Sequence, residues 1–119
     1  EANGNVILHQ ESFTPIPEAN ATKQIFAENV ADHIAAGVNN LTQHNNLFLE
    51  QALFANELSE ESIDYLKEKT AELWEKFSKS ILAEAIQRCK IDEGRLNANH
   101  RFRVGIYQYD EKDSSINEL

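Results

Sequence analysis

The stretch Glu60 to Lys90, EESIDYLKEKTAELWEKFSKSILAEAIQRCK, constrains this chain more than any other. Ile63, Leu66, Thr70, Leu73, Phe77 and Ile81 recur at steps of three and four, so they stack on one face of a helix. Ser59 stands where an N-cap belongs, its hydroxyl able to accept from an amide left free in the first turn. Glu60, Glu61 and Asp64 open the helix, and Arg88 and Lys90 close it, which suits the backbone dipole at both ends. Glu72–Lys76, Glu75–Lys79 and Glu84–Arg88 are i,i+4 pairs in the favourable order, each contributing about 0.3 kcal/mol. Gly94 supplies a left-handed stop. Such a helix is roughly 45 Å long, which exceeds the diameter of a compact domain of this size.

The apolar stripe does not run straight. After Ser78 it rotates, and Leu82, Ala85, Ile86 and Cys89 lie about a quarter-turn or more round the axis. Either the helix bends near Ser78–Ser80 or its two halves pack on different neighbours. The second reading predicts a homodimer whose interface includes Leu82, Ala85, Ile86 and Cys89, because a short chain cannot cover both faces.

A second helix is expected over Glu18 to Asn40, with Phe26, Val30, Ile34, Val38 and Leu41 as its stripe and Asn20 or Thr22 as its cap. His33 borders that stripe and reads as a boundary histidine with a hydrogen-bonded ring nitrogen. The polar run from Asn39 to Asn46 closes the helix as a cap and loop. Its alternative role is to line a small-ligand pocket with Asn40 and His44.

The chain ends predict strands. Val6–Phe13 runs into Thr14-Pro15-Ile16-Pro17, and Phe102–Tyr109 alternates Phe102, Val104 and Ile106 against Arg103, Tyr107 and Tyr109. Phe48–Ala55 has helical propensity interrupted by asparagines, and reads as either a helix or an extended third strand, with extended preferred. The expected fold is therefore α+β: two main helices, one very long, on a small antiparallel sheet formed by the N- and C-terminal strands. Residues 1–119 form one domain, with a mobile tail over 110–119.

Composition excludes several functions. The net charge of −9 argues against a nucleic-acid surface, since phosphate contacts need clustered Lys and Arg. One cysteine forms no intrachain disulfide, which fits the cytoplasm, and no apolar run is long enough to span a membrane. No Gly-rich phosphate loop, GxSxG, HExxH or CxxC occurs, so the sequence offers no catalytic residue, cofactor or metal ligand set. Cys89 near a helix C-terminus is disfavoured as a thiolate and reads as a small packed residue. The chain contains no methionine and begins in the approach to a strand, which reads as a piece of a longer protein.

The closing strand, with Arg103, Tyr107 and Tyr109 on one face beside Gly105, has two readings. It can bind an anionic or planar small molecule, or the tyrosines pack while Arg103 pairs with a helix acid such as Glu84. Phe13-Thr14-Pro15, Asn40-Leu41, the acid-capped helix Ser59–Lys90 and Arg103-Val104-Gly105-Ile106-Tyr107-Gln108-Tyr109-Asp110 together resemble a bacterial family, domain of unknown function 6502. Gln108 departs from the aromatic or aliphatic residue common there. The resemblance implies the C-terminal domain of a bacterial transcriptional regulator, a regulatory or dimerisation domain with room for a ligand-sensing role; the alternatives are a structural protein–protein interaction module without ligand or, against the absence of catalytic motifs, a small enzyme. It implies DNA contact only through a helix-turn-helix segment that this sequence lacks.

Overall fold

A computed structural model describes residues 20–112. Its elements are α1 (Asn20–Thr42) and α2 (Glu60–Asp92), joined by an irregular stretch and followed by a non-helical segment. The described part is all-α, with no strand among the described residues.

Local chemistry accounts for both ends of α2. Ser59 Oγ accepts from the Ser62 amide at 3.1 Å, and Glu60 and Glu61 fill the first turn. At the far end the Glu93 amide donates to Lys90 O, and Gly94 then turns the chain at φ +81. Glu72–Lys76 and Glu75–Lys79 close at 3.8 and 3.2 Å, as their spacing requires. Helix α1 is described from Asn20 and runs two residues further than the sequence pattern indicates, ending as the Gln43 amide donates to Asn39 O. Asn46 (φ 56) and Glu57 (φ 62) sit in the left-handed region and bend the connection between the helices.

The expected antiparallel sheet is overturned. Val6–Phe13 lies outside the described residues. Phe102–Tyr109 forms no ladder, and Phe48–Ala55 is non-helical without being a strand. The physical reason lies in how these segments are held. An alternating sequence becomes a strand only when a neighbouring backbone takes its N–H and C=O groups. Here both segments are tied down through side chains to α1. Gly105 is not a point of close approach either, since a Cβ there would meet nothing within 4 Å.

The described residues have no hydrophobic core. Thr22, at 7% exposure, is the one buried residue, and no apolar side chain is buried. The Cα radius of gyration is 18.0 Å, against about 13–14 Å for a compact chain of this length. The chain exposes 10960 Å². A compact globule of 13.5 kDa exposes roughly 6,500 Å². Long apolar stripes on both helices therefore remain turned to solvent.

Candidate functional site

One polar cluster is built on a single carboxylate, Asp32. Glu28 and Asp32 are one turn apart on α1, and Arg101 and Arg103, two residues apart in a non-helical segment, project to the same side. Arg101 donates to Asp32 in the two-pronged manner of a guanidinium fork, Nη1 at 2.6 Å and Nη2 at 3.1 Å. Arg103 Nε donates to the same Oδ2 at 2.6 Å, its Nη1 donates to Asn29 Oδ1, and its Nη2 lies 3.5 Å from Glu28. The hydrogen bond from Arg101 is the main reason that the Asp32 carboxyl is held down at about 2, with Arg103 adding to it and partial desolvation opposing it. Asp32 in turn raises the Arg101 guanidinium.

This settles what Arg103 touches. It pairs with helix acids, as the packing alternative has it, but those acids are Asp32 and Glu28 of α1 rather than Glu84 of α2. Its donors are spent on the chain itself.

A second tie uses Asn40. Its amide donates to Phe48 O at 2.9 Å, and its Oδ1 accepts from the Phe48 amide at 2.9 Å. The side chain thus acts as a substitute peptide group, holding residue 48 as a strand neighbour would. His33 Nε2 meets Glu50 Oε2 at 3.0 Å, and its ring lies 6.1 Å from Tyr107. His33, Gly37, Asn40 and Glu50 border a shallow groove of about 320 Å³. Of the residues expected to bind a ligand, Asn40 and Tyr107 come near this groove. Arg103 belongs to the Asp32 cluster, the Tyr109 hydroxyl donates to Glu111 at 2.8 Å, and His44 is exposed beyond the end of α1. The five do not converge.

Asp32, Asn29, Arg101 and Glu50 were not singled out in the sequence. The Arg-x-Arg spacing and the Glu28–Asp32 pair were visible signals, but nothing in them says which helix meets which segment. On α2, Leu82, Ala85 and Cys89 are half-buried and Ile86 is 40% exposed. Leu66, Leu73 and Phe77 of the first half are more open, at 42, 55 and 47%. Cys89 carries a free thiol. Among the described residues there is no cluster of His, Cys, Asp and Glu able to hold a metal ion, and no helix is long and apolar enough to cross a membrane.

Comparison with known proteins yields no match to any family model, curated protein or solved structure.

Proposed function

We propose that this chain is a self-association module, completed by a second copy of itself, and that it serves as a non-catalytic regulatory part of a longer cytoplasmic protein. The observation that carries the proposal is the inversion of burial. No apolar side chain is buried among the described residues, while Phe26, Ile34, Leu73 and Phe77 are 68, 61, 55 and 47% exposed. Monomeric proteins rarely leave contiguous apolar surface of this extent open.

The reading also accounts for the polar residues. Arg101, Arg103, Asn40 and His33 hold the non-helical segments on α1 and leave the apolar stripes for association. The placement in a transcriptional regulator rests on the resemblance of the Arg103–Asp110 segment and its companion motifs. With a charge of −9, any DNA contact falls to another part of that protein.

Sedimentation and thermal unfolding over about 1 to 100 µM test the proposal. A dimer whose Tm rises with concentration is expected. A monomer with a fixed Tm across that range refutes it.

A further inference from the structure

Two apolar stripes in the described residues have nothing against them, and their surroundings differ. On α1 the stripe runs through Phe26, Val30, Ile34, Val38 and Leu41, all at least 40% exposed. Glu28 and Asp32, which carry the Arg101–Arg103 segment, lie on roughly the opposite side of the helix. The Arg101–Arg103 attachment thus docks on the polar side of α1, while the Asn40–Phe48 and His33–Glu50 ties run along one edge of the stripe, where Glu50 shares a groove with Ile34 and Leu41. One flank of the stripe carries Gln24, the other carries Asn40 and His33 with the Glu50 carboxylate bonded to it, and the one cation of α1, Lys23, precedes the stripe.

On the first half of α2 the stripe Ile63, Leu66, Thr70, Leu73 and Phe77 keeps the alternating three-four spacing of a helix seam. Its flanks carry lysines: Lys67 lies on one side, and Lys69 and Lys76 on the other, where both meet Glu72 at 3.3 and 3.8 Å. Glu61, Asp64, Glu68, Glu72 and Glu75 occupy the back. Pairing this seam with the same seam of another copy would set Lys67 against a lysine edge of the other copy, a juxtaposition that specific interfaces avoid. Pairing it with α1, whose flanks carry no lysine and on one side present the Glu50 carboxylate, carries no such penalty. The lengths agree as well. Phe26 to Leu41 covers about 22 Å of helix and Ile63 to Phe77 about 21 Å.

We infer that the second copy is bound reciprocally: the α1 stripe of each chain packs on the lysine-flanked first half of the other chain's α2. This rests on the proposed self-association and specifies its geometry. The α1 stripe and Leu66, Leu73 and Phe77 of α2 are exposed within one chain, with Ile63 and Thr70 half-buried, so neither stripe is covered by the other in place. If α1 paired with its own counterpart, each α2 would be left with only a like-flanked α2. The reciprocal arrangement is the one that covers all four stripes. It also moves the main contact from Leu82, Ala85, Ile86 and Cys89 to the more open Leu66, Leu73 and Phe77.

The stripe centres, Ile34 and Thr70, oppose each other whether the helices run parallel or antiparallel. In a Cys89→Ser background, one chain carries Ile34→Cys and a second, differently tagged, carries Thr70→Cys. The two are mixed, exchanged and oxidised. A mixed disulfide well above its statistical share is expected, since such a bond requires close Cα atoms. As a check that needs no change in α1, a nitroxide on Thr70→Cys should broaden the Ile34–Val38 amides of an isotopically labelled unmodified partner. Dominant Thr70–Thr70 or Ile34–Ile34 crosslinks, with no broadening of α1, overturn the reciprocal geometry while leaving self-association standing. A dimer that gives neither crosslink nor broadening also overturns it. A sample that sediments as a monomer removes both proposals.

Discussion

Leu73→Ala tests whether the open stripe of α2 is an interface. Leu73 is 55% exposed in the single chain, so more than half of its burial remains to be gained on association. Leucine presents roughly 70 Å² more apolar surface than alanine, and 55% of that at ~25 cal/mol/Å² is about 1 kcal/mol per copy. Two copies contribute about 2 kcal/mol to a symmetric dimer, which weakens the dissociation constant roughly 30-fold. Any cavity left behind adds to this. The helix itself should not suffer, because alanine is at least as good a helix former as leucine. Sedimentation equilibrium, or fluorescence anisotropy of a labelled chain, measures the dissociation constant, and circular dichroism follows the helix. A dissociation constant within about threefold of the parent would refute the reasoning, as would loss of helicity with association intact.

Four further outcomes follow from local contacts. Asp32→Asn removes the shared acceptor of Arg101 and Arg103 and should release residues 101–112, read as faster tryptic cleavage after Arg101 and Arg103 with α1 still helical. The same cluster fixes a pH dependence: Asp32 is depressed from 3.8 to about 2, so its contribution is fully present above the ordinary carboxylate range and is lost as pH falls through about 2, followed by the Arg103 Nε–H resonance. Asn40→Ala should abolish exchange protection of the Phe48 amide, at a cost of about 1 kcal/mol, since these bonds are solvent-exposed. Ser59→Ala and Gly94→Ala should each lower α2 stability by about 1 kcal/mol, the first through the lost cap and the second through a left-handed φ of +81 alone, because an added Cβ there meets nothing within 4 Å. Thermal melts at fixed concentration measure both.

The sequence by itself determined what is local. Ser59, Gly94, the charge order along α2 and the three-four spacing from Ile63 to Phe77 act within a few residues, and α2 forms where they place it. His33 as a hydrogen-bonded boundary residue was legible for the same reason, though its partner Glu50 was not. What only the tertiary structure decided is where alternating segments find partners. Phe102, Val104 and Ile106 against Arg103, Tyr107 and Tyr109 is the pattern of a half-covered strand, and period-two alternation cannot distinguish a neighbouring strand from a helix. Arg101 and Arg103 meeting Asp32, some seventy residues away, settled that choice in favour of α1. The same holds for Phe48, whose backbone is taken by the Asn40 side chain rather than by a ladder. Helix caps depend on neighbours along the chain, so residue order encodes them. Sheet pairing and stripe coverage depend on neighbours in space, which one chain's residue order does not specify.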